Sequence, residues 1–242
     1  LHVLKRGVIF VDLSLAQVAS LGSSVALLFH LEHHTAGSYF LSLGFTLIAA
    51  LYFAWAKKYD KYISQEVLIA IVYAFSSALV ILVVNMLAHG SEHIKEILIG
   101  KILWVTWEDV ASTASIYLVV ALIHYRYRKQ LMNATLNRTS EDYIWWDFLF
   151  YALFGVVITS SVGSAGILLV FSFLVIPALV SMQFTKKVNK QLLFGWGIGV
   201  VLCTFGMIIS YRMDLPAGAV LVVVFAGVPL IGLPVSKAFK LI

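Results

Sequence analysis

Long apolar runs separated by short polar segments dominate the chain. Eight stand out: Val8–Leu28, Tyr39–Ala56, Glu66–Leu87, Asp109–Tyr125, Tyr143–Ser161, Gly166–Phe184, Leu192–Tyr211 and Ala217–Val235. A helix needs about 20 predominantly apolar residues to cross a bilayer, and each run approaches that length. The pattern predicts an all-α, polytopic helical membrane protein with about eight transmembrane helices. They form a single domain over residues 1–242. The opening Leu1-His2-Val3-Leu4-Lys5-Arg6 resembles the cytoplasmic tail end of a span, so one further span is expected upstream. Pro177 lies inside an apolar run and predicts a kink or break, whereas Asp214-Leu215-Pro216-Ala217-Gly218 reads as a surface turn. Small residues such as Gly195, Gly197, Gly199 and Gly166 suit close helix packing.

Composition sharpens this picture. The chain is 61% hydrophobic and only 12% charged, about half the charged share of ordinary soluble proteins. Its mean hydropathy is +0.96. The net charge of +5 is no nucleic-acid signature, because the basic residues sit in loops on alternate sides of the spans. Lys5, Arg6, Lys57, Lys58, Lys61, Arg126, Arg128, Lys129, Arg138, Lys186, Lys187, Lys190, Lys237 and Lys240 fall on one side. Only Lys95, Lys101 and Arg212 fall on the other, so the first group is expected in the cytoplasm. A multi-pass protein of the cytoplasmic membrane follows. The single cysteine, Cys203, excludes an intramolecular disulfide. Gly100-Lys101 lacks the remainder of a phosphate-binding loop, so any ATP site belongs to another chain.

The candidate chemistry lies in His89-Gly90-Ser91-Glu92-His93, between the third and fourth runs and on the outer side. Two imidazoles and a carboxylate at i, i+3 and i+4 share one face of a helix, within reach of a cation such as zinc. Ionisable groups beside a bilayer often mark an ion path. Three readings are open: a metal site at the mouth of a pore, a solvated loop with chance histidines, and a zinc hydrolase. The last rests on the His-x-x-Glu-His pattern, where two histidines hold zinc and the glutamate serves as base. A second, looser patch is His30-Leu31-Glu32-His33-His34. Asp12 and Gln17 lie in the first run, Asp12 near the cytoplasmic surface and Gln17 deeper, able to bond between helices. His124 and Asp147 read as interfacial; Asp147 follows the aromatic pair Trp145-Trp146.

Four stretches carry a family likeness: Leu4 to Gly22, Ile97 to Asp109, Ala165 to Ala178, and Tyr211 with Asp214 to Gly218. In order and nature they resemble the membrane permease subunit of ATP-binding-cassette importers for zinc, manganese and iron. The resemblance implies an ABC-importer permease fold and import of a divalent metal by alternating access. It also implies no enzymatic activity on this chain, no permanently bound cofactor, and ATP used only through a partner ATPase subunit. The other implied partners are an extracytoplasmic metal-binding protein, a second permease copy and the lipid bilayer. Leu13 and Gln17 stand where the family usually carries an aspartate and a histidine. Gln17, with Asp12, is therefore expected along the translocation path, and His89, Glu92 and His93 are expected to receive the metal. The segment around Gln130, Leu131, Asn133 and Ala134 is expected to contact the ATPase, although residues 130–142 are either shortened relative to the family or lack a part that is absent from this chain. Histidine ligands lean toward zinc. The alternatives are a zinc hydrolase and an importer of a metal chelate.

Overall fold

The structure, a computed structural model, describes residues 1–31, 35–87, 90–136 and 143–239. Among these the chain forms α1 (His2–Arg6), α2 (Val11–Leu28), α3 (Ala36–Ala56), α4 (Gln65–Val84), α5 (Gly90–Ile99) and α6 (Trp107–Arg126). It continues through α7 (Arg128–Leu136), α8 (Tyr143–Ala165), α9 (Ile167–Phe184), α10 (Val188–Met213) and α11 (Ala217–Phe239). The eight apolar runs are therefore α2, α3, α4, α6, α8, α9, α10 and α11, and the three remaining helices are short connectors. Six of the long helices are long and apolar enough to cross a membrane by themselves. The apolar part of α11 covers Ala217–Ile231 among the described residues. The α6 helix is diluted by Glu108 and Asp109 in its first turn and by His124 and Arg126 in its last. Pro177 does not end α9, which continues on to Phe184. The expected turn does form: Asp214 takes a left-handed backbone at φ 51° and closes α10 before α11 begins.

The helices arrange themselves around α2. It packs on α3, α4, α8 and α9, and 72% of its length is buried against 11% for α10. In water such burial would follow apolar residues, but in lipid there is no hydrophobic drive between helices. Small side chains instead let the neighbours approach, and α2 carries Ser14, Ala16, Ala19, Ser20, Gly22 and Ser24, all buried. The periphery is apolar: Phe194, Trp196, Val200, Val201 and Phe205 of α10 are exposed.

Charged side chains tie one end of the bundle together. Arg6 Nη1 donates to Asp147 Oδ1, and Lys57 Nζ donates to Asp147 Oδ2. Asp147 is fully buried, Arg6 is 5% exposed and Lys57 is 18% exposed. The guanidinium also lies 4.2 Å from the centre of the Phe150 ring, a cation–π contact. Its Nε donates to Thr135 Oγ1 at 3.1 Å, and His2 Nδ1 lies 2.9 Å from the same hydroxyl. One carboxylate thus links α1, the end of α3, α7 and the start of α8. Beside it, Gln65 donates to the Phe53 carbonyl at 2.8 Å and to the Tyr151 hydroxyl at 3.0 Å, adding α4.

The other end is closed by backbone contact. Gly100 ends α5 at φ +73° and Gly166 separates α8 from α9 at φ +77°, a conformation that side chains strain. A Cβ on Gly100 would stand 2.2 Å from the Ala165 carbonyl carbon, and one on Gly166 would stand 2.4 Å from the Gly100 nitrogen. Lys101 N–H donates to the Ser164 carbonyl at 2.9 Å across this junction. The α5 helix is therefore held against the bundle.

Asp147→Ala should destabilise the folded protein by about 3–5 kcal/mol, because two cations lose their buried partner. Lys57→Ala should cost less, since that ammonium reaches solvent. Thermal unfolding in detergent micelles checks the order, which equal shifts for the two variants would contradict.

Candidate functional site

The α5 end holds a chamber of about 370 Å³ between α2, α3, α5, α6 and α8. Ser20 and Ser23 come from α2, Ser38 and Ser42 from α3, and Thr159 and Ser160 from α8. The spacings of three and four residues put the α2 pair and the α3 pair each on one helix face. His93 and Glu96 line it from α5, followed by Lys101, with Asp109 at the start of α6.

Each charged group there has a local reason for its position. Glu96 and Lys101 form an ion pair at 2.9 Å, with 39% and 45% of their side chains exposed; such a pair contributes at most about 1 kcal/mol. Asp109 belongs to a capping box. Its Oδ2 accepts from Thr106 N–H at 2.9 Å and from the Thr106 hydroxyl at 2.8 Å, and Thr106 Oγ1 accepts from Asp109 N–H. Burial pushes the His93 imidazole below its usual range, Glu96 opposes that and Lys101 reinforces it. A neutral imidazole at physiological pH keeps a lone pair for a metal or a proton.

The structure divides the sequence-derived candidates. His89 lies outside the described residues, as do His33 and His34 of the second patch. Glu92 is exposed in the first turn of α5 and is not in the chamber wall, whereas its neighbour His93 is half-buried and lines it. Glu96, which the sequence reading passed over, joins His93 on the wall; the i, i+3 spacing between them was the available signal. Among the described residues no three His, Cys, Asp or Glu side chains converge as metal ligands.

Asp12 and Gln17 are both buried in α2, at 1% and 7% exposure, and neither lines the chamber. Asp12 Oδ1 accepts from the Leu13 N–H at 2.8 Å, as suits a carboxylate in the first turn of a helix. Its Oδ2 has no hydrogen-bond partner. Asp12 shares a helical face with Ala19 and Ser23, at i+7 and i+11, and those two residues do line the chamber. The carboxylate therefore sits about 10 Å further along α2 on the chamber side. Gln17, five residues on from Asp12, points about 140° away from that face.

The segment expected to meet an ATPase is α7. Leu131 and Ala134 are buried in the protein's own core, packed there by the Thr135 contacts to α1. Gln130 is half-buried, and Arg128, Lys129 and Asn133 are exposed. The outward face of α7 is thus polar and basic.

Comparison with known proteins gives this architecture a place. A profile described as the ABC 3 transport family matches residues 1–236. The chain is 25% identical over 204 residues to the uncharacterized membrane protein slr2045 of Synechocystis, covering 81% of this chain and 70% of that one. It is 22% identical to a probable metal transport system membrane protein of Chlamydia trachomatis, over 73% of this chain and 62% of the relative. It is 29% identical to the manganese transport system membrane protein MntC of Listeria innocua, over 74% of this chain and 65% of the relative. The chain thus spans about two thirds or less of the length of the Chlamydia and Listeria relatives. In fold it resembles a chain of PsaBC from Streptococcus pneumoniae, solved in complex with Fab, with a TM-score of 0.76 and 20% identity. That likeness covers 95% of this chain and 82% of the other.

His93 should titrate below an ordinary histidine because burial disfavours its charged form. Nitrogen-15 histidine spectra of the wild type and His93→Gln, followed from neutral to acid pH, identify and follow this imidazole. A midpoint at or above 6.5 would contradict its placement in the wall.

Proposed function

Because the chain belongs to the ABC 3 transport family, we propose that it is the membrane permease subunit of an ATP-binding-cassette importer for a divalent metal ion. The observation that carries this reading is the chamber beside α2, with His93 and Glu96 in its wall at the end that the basic residues assign to the outside. Relatives named for metal, manganese and iron transport support the cargo class. An extracytoplasmic binding protein delivers the metal at the α5 end, where His89, Glu92 and His93 receive it. The ion then follows the chamber face of α2 toward Asp12. Imidazole favours zinc over the harder manganese.

Energy enters at the opposite end. An ATPase subunit docks on α7 through Arg128, Lys129 and Asn133, and a second permease copy completes the complex. Leu131 and Ala134 contribute by anchoring α7, since they face the permease core. Any movement of α7 is passed by Thr135 to Arg6, and from Arg6 to Asp147 and the ends of α3 and α8. This chain performs no catalysis and holds no permanent cofactor; it alternates access while ATP is hydrolysed by its partner.

Uptake of zinc, manganese and iron should be measured in cells lacking their own high-affinity importers and expressing the complete system. The account expects saturable uptake of at least one metal, competed best by zinc. His93→Ala and Asp12→Asn should each lower it roughly tenfold or more, equivalent to a barrier increase of at least about 1.4 kcal/mol. Wild-type uptake in both variants would remove these residues from the path. Separately, cysteine placed at Asn133 should cross-link to the ATPase subunit, whereas cysteine at Ala134 should not; the reverse pattern would contradict the α7 orientation.

A further inference from the structure

The wall of the chamber says how the cargo is held. Ten serine and threonine residues line it, against one histidine, two carboxylates and one lysine. The carboxylates are engaged locally, Glu96 by Lys101 and Asp109 by the cap of its own helix. Neutral hydroxyls are poor substitutes for the nitrogen, sulfur and carboxylate ligands that hold dehydrated zinc or manganese. They are good partners for coordinated water, whose protons they accept and whose dipoles they orient.

Size agrees with this. Six waters occupy about 180 Å³ at their liquid density, and the chamber offers about 370 Å³. A bare ion would touch one wall and leave the rest unpartnered, while a hydrated ion can meet α2, α3 and α8 together. Ser20 supplies an independent sign. It is 3% exposed, it lines the chamber, and its hydroxyl has no hydrogen-bond partner. A buried hydroxyl without a partner is costly, and a turn about its Cα–Cβ bond into the adjoining polar cavity gives it one. Ser38, Ser42 and Thr159 are also buried at the wall. The Lys101 charge is balanced by Glu96, so the lysine does not bar a cation.

We infer that the chamber binds a divalent cation with its first water shell intact, gripping the coordinated waters through the hydroxyls of Ser20, Ser38, Ser42 and Thr159. This rests on the transport reading for its cargo. The ion therefore need not be stripped of water at the outer mouth. Loss of the water shell is left to deeper groups such as Asp12.

Hexaamminecobalt(III) tests this, because its six ligands do not exchange and present hydrogen-bond donors as an aquo ion does. Binding is measured by calorimetry on the permease with its ATPase subunit in lipid nanodiscs. The expected result is saturable binding of the complex, displaced by manganese or zinc. Ser20→Ala combined with Thr159→Val should weaken it about tenfold, the loss of two hydrogen bonds. Ser20→Cys in a Cys203→Ser background controls for folding: the thiol should react with a methanethiosulfonate reagent and be protected by the cobalt complex. Binding of zinc or manganese without any binding of hexaamminecobalt(III) would overturn the inference in favour of direct coordination. Binding only of a metal–citrate complex would overturn it in favour of a chelate. Hexaamminecobalt(III) affinity unchanged in the double variant would overturn the assignment to this chamber. ATP-driven uptake into proteoliposomes is read separately: failed uptake with hexaamminecobalt(III) bound defeats the transport reading and leaves the chamber standing.

Discussion

A carboxylate sealed from solvent needs cations, and the whole of one end of this protein is organised by that requirement at Asp147. Arg6 comes from α1 and Lys57 from the end of α3, so satisfying one side chain fixes where three segments meet. Replacing a whole buried ion network by apolar side chains can be neutral, but removing one partner alone is expensive. The same guanidinium reaches Thr135 and thereby seats α7, the helix with the basic outward face. A contact made by a partner on α7 is thus one hydrogen bond away from the ion network.

The opposite end meets a different constraint. There α5 lies on the α8–α9 junction so closely that only glycine fits at positions 100 and 166. This backbone clamp brings His93 and Glu96 into the chamber wall, beside Ser20 and Ser23 of α2. Between the two ends runs α2, the most buried of the candidate spans and rich in small residues. Helices that approach this closely repack as units rather than deform, which suits an alternating-access cycle. The central helix offers Ser20 and Ser23 at the chamber and Asp12 on the same side further along.

The architecture was legible because lipid imposes it: a chain in hydrocarbon must pair its backbone within helices, and each such helix leaves an apolar run of recognisable length. All eight expected runs are helices, but Gly195, Gly197 and Gly199, which read as packing residues, lie in α10, the least buried of the candidate spans. The site was legible only in part. His93 was found from its spacing to His89 and Glu92, yet the structure turns Glu92 outward and brings Glu96 to the wall. Periodicity names a helix face but not the neighbour it meets. The hydroxyl lining went unnoticed because serine and threonine in spans read first as packing residues. Asp147 was placed near an interface by Trp145-Trp146, but its partners lie 141 and 90 residues away in sequence. No local pattern reports such a pairing. The family resemblance marks the segment around Leu131 and Ala134 as an ATPase contact without saying which side of the helix is buried, and both of these residues face the core.

A structure of the permease–ATPase complex in lipid, with manganese bound and data collected at the manganese edge, shows whether metal crosses through the chamber beside α2. An anomalous peak inside the chamber, between Ser20, Thr159 and His93, is expected. A peak confined to the lipid-facing surface, with an empty chamber at saturating manganese, would contradict it.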